Sequence, residues 1–485
     1  SDASLSTVHA FDLSGLTAGT IYYIQAASVS ATNDTSFSAI AAMATSSNSS
    51  GQIKVWFNNP VDNSVSTGTN AIFVNGAMDD TIIYYLDHAL YSLDIAIYNI
   101  DNMNNIITAL NDAYARGVAV RVICDAGVND DYDLINVGAG NKKKSPTGTT
   151  SGGEYYGIMH NKFVVIDAIS TDPNDAWVIA GSANMTDAQI HVDYQNVIVI
   201  QDQSLARAYK LEFEEMLSGK FGPEKTNNTP HEFIIGGKRI ELYFSPSDDT
   251  ETQIIKQINS ANHDLYFAIF TFTRFGISYA IEDMVETGIF AAGMYDETDA
   301  TDSTAVTILE DVLGETFFQQ SGSTLLHHKY LIVDPNCPAA DALVLTGSHN
   351  WSSSANSRND ENTLIIHDST TANIYYQEWV QRYEENGGTQ FVGEEACDFV
   401  GVQPEIQINK SIKVYPNPAN NYLWIESENN FDGLVEIMNM HGQIVYSGQL
   451  HAQMQMININ KLEAGMYMLV MKNDGEIFTN KFVKL

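Results

Sequence analysis

Two copies of a short motif of histidine, lysine and aspartate stand out for the chemistry they could perform. Each places lysine two residues after histidine and aspartate five residues after lysine, at His160, Lys162 and Asp167 and again at His327, Lys329 and Asp334. Side chains at i and i+2 share one face of a strand, so each histidine should point the same way as its lysine. A neutral imidazole can attack phosphorus and a protonated one can give its proton to a leaving oxygen; a pKa of about 6.5 allows both forms near neutral pH. The motif pair therefore predicts phosphodiester cleavage.

A Gly-Ser-x-Asn tetrapeptide follows each motif after a polar loop. Its serine and asparagine again stand at i and i+2, at Ser182 and Asn184 in the first copy and at Ser348 and Asn350 in the second. We predict that the two lysines and these four side chains hold the non-bridging phosphate oxygens, whose charge grows in the transition state. Such chemistry needs neither a metal ion nor a cofactor.

The two motifs lie in the two halves of an internal repeat. The first half reads SLDIAIYNI, a helix-like stretch and ARGVAVRVICDAG; the second reads NHDLYFAIFTFT, a helix-like stretch and ETGIFAAGMYDET. This alignment matches Asp94 with Asp264, Gly117 with Gly288 and Asp125 with Asp296. Each half is predicted as strand–helix–strand followed by a hairpin that carries the motif. If the halves pack about a pseudo-twofold axis, the two histidines and two lysines converge on one spot.

With both motifs in one chain, the sequence resembles the phospholipase D superfamily over roughly 350 residues. The resemblance implies a central α/β domain of two duplicated halves, with mixed sheets flanked by helices. It also implies a phosphohistidine intermediate that water or an alcohol resolves, with the N-terminal histidine, His160, as nucleophile and His327 as general acid. Asp167 and Asp334 belong to the catalytic signature, but they end the strands five residues past lysine, so we expect them to brace the backbone or an arginine.

In this superfamily a carboxylate downstream of Gly-Ser-x-Asn hydrogen-bonds a catalytic imidazole. In the second half the segment RNDENTLII puts Glu361 there, and the resemblance implies that it reaches across to His160. In the first half DYQNVIVI puts Gln195 there, and an amide supports an imidazolium less well than a carboxylate does. Asp193, two residues earlier, is the alternative partner. This asymmetry fits unequal roles for the two histidines.

Segments of β character flank the α/β region. In LSGLTAGTIYY, Tyr22 follows Leu16 by six residues, which resembles the tyrosine corner of a fibronectin type III domain. Only about half of such a domain would be present, and any β-hairpin module is the alternative. The predicted division is a partial fibronectin type III-like module at 1–46, a linker at 47–52, halves at 53–228 and 229–398, a linker at 399–410 and a small β-sandwich at 411–485.

The last segment resembles a type IX secretion C-terminal sorting domain. The matching features are the opening Tyr415-Pro416-Asn417-Pro418, the strand at Gly465–Tyr467 and the terminal strand at Lys481–Lys484. The resemblance implies export by the type IX machinery of a Gram-negative bacterium and a secreted or cell-surface location. An ordinary carbohydrate-binding or adhesion sandwich is the alternative. Because the chain begins at Ser1, we interpret it as a fragment or a processed product.

The composition excludes several classes of protein. Apolar residues make up 44% of the 485 residues, which excludes a wholly disordered chain, and no run approaches the roughly 18 apolar residues of a transmembrane helix. A net charge of −36 weighs against tight non-specific binding of nucleic acid.

The one basic run, Lys142–Lys144, precedes His160 closely and could guide an anionic substrate. Of three cysteines, Cys124 is expected in the core, whereas Cys337 and Cys397 could pair.

These observations predict a secreted phosphoric diester hydrolase that cleaves a phospholipid head group, releases phosphatidic acid and touches the membrane surface transiently. Two alternatives stay open. One is a non-specific endonuclease of the same superfamily, with nucleic acid as its partner. The other is a catalytically inactive surface adhesin, for which Gln195 is the only support.

Overall fold

The structure, a computed structural model, divides the chain into two compact units, Ser1–Ala396 and Cys397–Leu485. It describes residues 13–484 except for 31–32, 129, 298–304, 338–339, 390–411, 416–418, 440–443, 463–464 and 474–475. The predicted linker at 399–410, Cys397 and Pro416–Pro418 therefore lie outside the described residues.

The first unit opens with four short strands: β1 (Ile21–Ile24), β2 (Ala27–Val29), β3 (Thr35–Phe37) and β4 (Ala41–Ala44). β1 pairs with β4 and β2 with β3, both antiparallel. The backbone N–H of Thr17 donates to the hydroxyl of Tyr22 at 2.8 Å, a local contact of the kind found in a tyrosine corner. The described part of this segment forms only two-stranded sheets, and a fibronectin type III module is not shown.

The first half of the repeat is built on an eight-stranded mixed sheet in the order β10-β9-β7-β11-β12-β14-β5-β6. Its strands are β5 (Ile53–Phe57), β6 (Ile72–Phe73), β7 (Ser92–Ile97), β9 (Ala119–Cys124), β10 (Lys142–Lys144), β11 (Lys162–Ile166), β12 (Trp177–Gly181) and β14 (Asn196–Gln201), with β8 (Ile100–Asp101) and β13 (Met185–Thr186) forming a separate pair. The helices are α1 (Met78–Asp87), α2 (Asn104–Ala115), α3 (Asp187–His191) and α4 (Gln203–Ser218).

The second half repeats this plan with the order β15-β16-β22-β21-β20-β17-β18-β19. Its strands are β15 (Glu232–Ile235), β16 (Lys238–Ser245), β17 (Asp264–Thr271), β18 (Phe290–Glu297), β19 (Phe317–Gln319), β20 (Lys329–Val333), β21 (Leu343–Gly347) and β22 (Glu361–His367). Its helices are α5 (Thr250–Ile258), α6 (Phe275–Glu286), α7 (Ala305–Leu313), α8 (Ser353–Ser357) and α9 (Ser369–Glu385). The predicted fold class, a duplicated α/β unit with mixed sheets and helices, is confirmed.

The strand register corrects one detail of the predicted alignment. Lys162 lies opposite Ile97, and Lys329 lies opposite Ile269. Counting back from these pairs makes Ser92, not Asp94, the equivalent of Asp264. The match of Asp125 with Asp296 holds, because each stands one residue past the partner of Ile97 or Ile269 in the next parallel strand.

Apolar residues alternate between the two faces of each sheet and so make three cores in this unit. One core lies between the two sheets and joins Phe163 and Tyr209 of the first half to Phe244, Tyr330 and Tyr375 of the second. The outer cores lie under the remaining helices, α1 and α2 on one side and α5, α6 and α7 on the other. Aromatic edge-to-face contacts, such as Tyr209 of the first half with Phe244 of the second at 5.2 Å, join the two halves.

Helices α4 and α9 follow the last strand of each half and begin at equivalent caps. The side chain of Asp202 accepts from the backbone N–H of Leu205 at 2.8 Å, and that of Asp368 accepts from Thr371 at 3.0 Å. An aspartate at this position satisfies an N–H that has no partner inside the helix. Both helices contribute to the central core and so hold the two sheets together.

The second unit is all-β, as predicted. Its strands are β23 (Ile412–Tyr415), β24 (Tyr422–Asn439), β25 (Ile444–Asn458), β26 (Gly465–Asn473) and β27 (Glu476–Lys484), all paired antiparallel. Leu423, Ile425, Val435, Ile437 and Leu469 are among the buried residues of its own core.

The prediction for Cys124 is confirmed, whereas the pairing of Cys337 with Cys397 stays a prediction. Cys124 is a free, buried thiol at the end of β9. Cys337 is disulfide-bonded, whereas its predicted partner, Cys397, lies beyond the part of the chain that the structure describes. Among the described helices none is long and apolar enough to cross a membrane.

Candidate active site

The two motif histidines are brought together because each half pairs its backbone with the other. The segment before β11 forms an isolated bridge from Met159 to Asp360, and the segment before β20 forms one from Leu326 to Tyr194. The amide of His160 donates to the carbonyl of Asp360 at 3.0 Å, and that of His327 donates to Tyr194 at 3.1 Å. The regular strands begin only at the lysines, not at the histidines as the sequence predicts. Each histidine therefore lies just before its own motif strand, at the point where the backbone hydrogen-bonds to the opposite half.

Each imidazole is held at Nδ1 by a side chain of the opposite half. Nδ1 of His160 lies 2.8 Å from Oε2 of Glu361, and Nδ1 of His327 lies 3.2 Å from Oε1 of Gln195. The predicted contact of Glu361 with His160 is thus present. This arrangement directs Nε2, the other ring nitrogen, away from the supporting group, so Nε2 is the atom available for chemistry.

The serines of the two Gly-Ser-x-Asn segments support these contacts. Ser182 Oγ donates to Oε1 of Gln195 at 2.7 Å, and Ser348 Oγ donates to Oε2 of Glu361 at 2.7 Å. Both serines have no exposed surface, and each hydroxyl also accepts a backbone N–H. These hydroxyls therefore orient the groups that hold the histidines. Their predicted contact with substrate phosphate is untested.

The glycines before these serines are required by space. A Cβ at Gly181 would collide with the carbonyl oxygen of Asn196, and one at Gly347 would collide with that of Asn362. Close backbone approach of this kind excludes any larger residue. It brings β12 against β14 and β21 against β22 at the point where each serine must reach its neighbour.

The two lysines line the site beside the histidines. Lys162 Nζ donates to the carbonyl of His160 at 2.8 Å, and Lys329 Nζ donates to that of His327 at 2.7 Å. Both ammonium groups are almost fully buried. The shared direction of each histidine and lysine, predicted from the spacing, is therefore present although the histidines precede the regular strands.

An aromatic ring lies against each histidine–lysine pair. Tyr98 lies 5.1 Å from the ring of His160 and 5.4 Å from Nζ of Lys162. Phe270 lies 4.6 Å from the ring of His327 and 4.8 Å from Nζ of Lys329. Such cation–π contacts partly replace lost hydration of the ammonium groups. The sequence did not single out Tyr98; only its position next to a motif strand could have indicated it.

Burial sets the protonation of the unliganded site. It lowers the pKa of Lys162 to about 7 and that of Lys329 well below its usual value. Burial likewise lowers the pKa of His160, more than the adjacent Glu361 raises it, and with Lys329 lowers the pKa of His327 far below its usual value. Burial alone would raise the pKa of Glu361, but His160 and Lys162 lower it to about 2. Before an anion enters, the site thus holds one carboxylate beside basic groups whose charged forms are destabilised by burial.

The asparagines of the tetrapeptides differ in their surroundings. Asn184 is buried, and its Oδ1 makes no hydrogen bond to any described residue. Asn350 is half-buried, and its Oδ1 accepts from the amide of Thr271 at 3.4 Å. Nε2 of Gln195 is also buried and lacks a partner among the described residues. An unpaired buried polar atom costs free energy, and this cost falls on Asn184 and Gln195, both of which lie beside the motif histidines.

The motif aspartates brace backbone at the far end of the strands. Asp167 accepts from the amides of Leu90, Tyr91 and Ser92, each at 2.7 Å. Asp334 accepts from those of Asn262, His263 and Asp264 at 2.8–2.9 Å. Both aspartates have a positive φ, near 50°, which aspartate tolerates better than most residues. Each carboxylate thereby fixes the turn into the strand that runs beside the motif strand.

Two further aspartates hold the residue before each histidine. Asp125 accepts from the amide of Met159 at 2.8 Å, and Asp296 accepts from that of Leu326 at 2.6 Å. Asp193, the alternative partner for a histidine, instead accepts from the amide of Leu325 at 3.2 Å. It does not bond an imidazole, because its carboxylate is engaged at Leu325 and Gln195 holds Nδ1 of His327.

The basic run is engaged in the fold and does not form a free cationic patch. Lys142 donates to the carbonyls of Tyr132 and Ile135, and Lys143 donates to that of Leu217 at 2.6 Å. Lys144 pairs with Asp130 at 2.6 Å. The run forms strand β10, and its half-buried ammonium groups satisfy loop and helix-end carbonyls. The expectation that it guides an anionic substrate is therefore not supported.

A residue that the sequence did not indicate also enters the site. Nε2 of Gln189, on α3, lies 3.2 Å from Nε2 of His327. Only the position of α3 directly after the first Gly-Ser-x-Asn segment could have suggested it. Within the described ranges no group of three or more histidine, cysteine, aspartate or glutamate side chains could hold a metal ion.

Comparison with known families matches both units of the chain. The family described as "Cardiolipin synthase, PLD-like domain" matches residues 82–217 and 254–383, one stretch in each half of the repeat. The family described as "Secretion system C-terminal sorting domain" matches residues 413–485, which indicates secretion or a cell-surface location.

Curated relatives match parts of the chain. A phospholipase D of Rickettsia bellii is 25% identical over 150 residues, which are 31% of this chain and 71% of that protein. The mitochondrial cardiolipin hydrolase of Xenopus tropicalis is 30% identical over 120 residues, 24% of this chain and 52% of that protein. The matched stretch thus spans about half the length of the cardiolipin hydrolase.

Solved structures with a similar arrangement include two bacterial proteins. The phospholipase D family member Nuc of Salmonella typhimurium is 21% identical and matches 31% of this chain and 98% of its own, with a TM-score of 0.27. The phosphatidylserine synthase of Haemophilus influenzae is 13% identical and matches 64% of this chain and 84% of its own, with a TM-score of 0.47.

Proposed function

The chain belongs to the PLD-like domain family, and we propose that it is a secreted phosphodiesterase in which His160 and His327 work as a catalytic pair. The observation that carries the proposal is the crossed support of the two imidazoles. Each Nδ1 is held by the opposite half, so Nε2 is the ring nitrogen that can act on the substrate, and at His327 the side-chain amide of Gln189 lies 3.2 Å from it. Two buried lysines beside them supply the charge that a phosphodiester needs.

In the first step Nε2 of His160 attacks phosphorus and the bond from phosphorus to the leaving oxygen breaks. The leaving oxygen takes the proton from Nε2 of His327, which releases an alcohol and leaves the remaining phosphoryl ester joined to Nε2 of His160 by a P–N bond. In the second step His327 takes a proton from water, and the resulting hydroxide attacks phosphorus and frees His160. The products are an alcohol and a phosphomonoester, and the protein returns to its starting state.

The different partners of the two histidines support this assignment of roles. His160 gains a positive charge when it attacks, and the Glu361 carboxylate beside it stabilises that charge. His327 must give up a proton readily, and Gln195 offers only a neutral oxygen. The negative charge of the bound phosphodiester raises the pKa of His327 and so loads it with a proton before the first step.

A phospholipid is the substrate that we propose. Exposed apolar side chains lie on segments that lead to the site: Tyr155 and Ile158 shortly before His160, and Phe275 and Tyr279 on the helix after β17. Aromatic and aliphatic side chains of this kind favour the interface of a lipid bilayer. The net charge of −36 and the engaged basic run weigh against nucleic acid. The relatives named phospholipase D and cardiolipin hydrolase support the same class of substrate.

The matched sorting domain supports delivery of this activity outside the cell. We propose export by a type IX system of a Gram-negative bacterium, with the last unit as the segment that the machinery reads. Hydrolysis at the head group of a phospholipid would then release phosphatidic acid from membranes outside the cytoplasm.

Cleavage of defined substrates tests the proposal. Purified protein is incubated in EDTA with phosphatidylcholine vesicles, with cardiolipin vesicles and, separately, with single-stranded DNA. The variants are His160→Ala and, as a matched control, His88→Ala, which removes an exposed imidazole outside the site. Lipid cleavage that His160→Ala abolishes and His88→Ala retains is the expected result. Cleavage of DNA alone would overturn the lipid assignment, and the lack of any His160-dependent cleavage would overturn the catalytic one.

A further inference from the structure

The side chain of Gln189 contacts both His327 and the first Gly-Ser-x-Asn segment. Its Nε2 lies 3.2 Å from Nε2 of His327, the nitrogen that must carry a proton during catalysis. Its Oε1 accepts the backbone N–H of Asn184, a member of the first Gly-Ser-x-Asn segment, at 2.9 Å. Gln189 itself sits on the short helix α3, whose backbone is tied down where the carbonyl of Gln189 accepts from Asn58 at 3.2 Å.

The contact with Asn184 fixes which end of the Gln189 amide faces the histidine. A backbone N–H can only donate, so the atom that receives it must be the amide oxygen. The NH₂ group of Gln189 therefore faces His327, and it can only donate as well. Nε2 of His327 must then accept, which requires that it carries a lone pair and no proton.

The other side of the imidazole agrees with this assignment. If Nε2 of neutral His327 is bare, the proton sits on Nδ1, and Oε1 of Gln195 lies 3.2 Å away to accept it. Ser182 Oγ donates to that same oxygen, which confirms that the Gln195 oxygen and not its nitrogen faces the ring. Nζ of Lys329 also lies 3.1 Å from Nδ1 and donates to the carbonyl of His327 at 2.7 Å. Burial lowers the pKa of Lys329 well below its usual value, and the uncharged amine can accept the Nδ1 proton as Gln195 does. The amides of Gln189 and Gln195 thus hold His327 from opposite sides.

We call the contact of the Gln189 amide with Nε2 of His327 the cap. Among the described residues His160 has no equivalent contact. His160 is held at Nδ1 by Glu361, but its Nε2 makes no hydrogen bond to any residue in the described ranges. From the spacing of the Gly-Ser-x-Asn segments, the position equivalent to Gln189 in the second half is Ala355, a buried residue of α8 without a polar side chain. The cap is therefore specific to His327.

We propose that Gln189 is a positioning residue that holds His327 in its Nδ1–H tautomer and keeps Nε2 unprotonated until substrate arrives. The role of Gln189 in catalysis rests on the proposed function. Gln189 assigns attack on phosphorus to His160, whose Nε2 is not capped, and proton transfer to His327, whose Nε2 is capped. When an anionic phosphodiester enters, its oxygen takes the hydrogen bond from the Gln189 amide. Nε2 of His327 is then free to receive a proton from solvent and pass it to the leaving oxygen.

Charged groups around His327 act in the same direction as the cap. Burial, Lys329, Lys162, His160 and His328 all disfavour a positive charge on this ring, and the groups at Nδ1 are the neutral amide of Gln195 and Nζ of Lys329. Removing the Gln189 amide leaves those groups in place. A change in the titration of His327 in the variant would therefore report the lost hydrogen bond and not a rearranged charge.

Nitrogen NMR of the free protein tests the tautomer without any substrate. The full chain is labelled with ¹⁵N-histidine, and the ring nitrogens of His327 are identified by their absence in His327→Gln. In the wild-type protein Nδ1 should carry the proton and Nε2 should show a bare nitrogen. In Gln189→Ala the preference should weaken, and the pKa of His327 should rise by about half to one pH unit. In Gln189→Glu the carboxylate accepts a proton at Nε2, so the rise should be larger.

Asp187→Asn is the matched control, because it alters an exposed residue of the same helix. It should leave the signals of His327 unchanged. Thermal unfolding of each variant shows whether the fold is retained. A His327 that has the same tautomer and the same pKa in Gln189→Ala as in the wild-type protein would overturn the proposal.

The kinetic counterpart uses whichever diester the wild-type protein cleaves. In Gln189→Ala the pH profile of kcat should shift with the pKa of His327, whereas a purely structural role would lower kcat without moving the profile. The two proposals fail separately. Lack of His160-dependent cleavage contradicts the function but leaves the NMR result standing, and an unchanged His327 in an active protein contradicts only the role of Gln189.

Discussion

Oε2 of Glu361, in the second half of the repeat, lies 2.8 Å from Nδ1 of His160, in the first half. The equivalent contact runs the other way at 3.2 Å, from Gln195 in the first half to His327 in the second. Neither half therefore holds a complete histidine site by itself. The substitution of an amide for a carboxylate at one of the two positions makes the site unequal although the fold around it is duplicated.

Glu361→Gln should cripple the reaction without unfolding the protein. The amide retains the shape and one acceptor oxygen but cannot stabilise the charge that His160 gains when it attacks phosphorus. We expect kcat to fall by about 10²- to 10⁴-fold. Steady-state kinetics on the wild-type substrate measures the effect, and Glu224→Gln, a surface carboxylate that bonds Tyr156, is the control. A kcat within a few-fold of wild type would remove Glu361 from the mechanism.

Gln195→Glu should shift the pH profile of activity. A carboxylate beside Nδ1 favours the imidazolium form of His327, so its pKa in the free protein should rise by about one to two pH units. If His327 acts as the acid, the basic limb of kcat/KM moves to higher pH by the same amount. An unchanged profile would mean that the amide at this position has no influence on the proton transfer.

Asp167→Asn should affect stability more than catalysis. The carboxylate accepts three backbone N–H groups in a turn remote from the imidazoles. Hydrogen bonds to a charged acceptor contribute more than neutral ones, so we expect the free energy of unfolding to fall by about 2 kcal/mol, while kcat stays within about threefold. Urea denaturation measures the loss. Asp172→Asn, which alters a carboxylate that accepts one amide in an exposed turn, should change stability far less.

The paired substitution Asp334→Asn should behave like Asp167→Asn, because Asp334 makes the same set of bonds in the second half. Loss of activity in a variant with unchanged stability would contradict this reading. It would instead place the aspartates in the reaction itself.

Anion binding should weaken as pH rises through about 7. Burial lowers the pKa of Lys162 to about 7, so its ammonium form predominates below that value and is lost above it. A bound anion favours the ammonium form, and affinity is therefore highest at low pH. Calorimetric titration with sulfate, an oxyanion that keeps its charge over this range, measures the dependence. Lys162→Arg keeps its charge at all these pH values and should flatten the dependence; an equally steep one would exclude Lys162 as its source.

The sequence allowed the duplicated fold and the centre of the site to be predicted, because both depend on local spacing. Two apolar strands with histidine and lysine at i and i+2 define the hairpins, and the repeat implies that the copies face each other. The contact from Glu361 to His160 was also predictable, but only through the resemblance to a known superfamily. The sequence around either residue does not indicate a contact between positions 201 residues apart.

The remaining features depend on how loops pack, which spacing does not specify. Asp193 precedes its strand by three residues, so it points to a loop and not to an imidazole. The ammonium groups of Lys142 and Lys143 donate to backbone carbonyl groups of a separate turn and of a helix end. Gln189 reaches His327 only because α3 is folded back beside the first Gly-Ser-x-Asn segment.

Trapping of the covalent intermediate tests the central claim most directly. Bis(4-nitrophenyl) phosphate has a leaving group that needs no acid, so His327→Ala should still form the intermediate but lack the base that hydrolyses it. We predict a burst of about one nitrophenolate per protein and, after quenching, a nitrophenylphosphoryl adduct on the peptide that contains His160. The double variant His160→Ala/His327→Ala should show neither. An adduct on any other residue, or no burst from a variant whose wild-type parent turns over, would contradict the account.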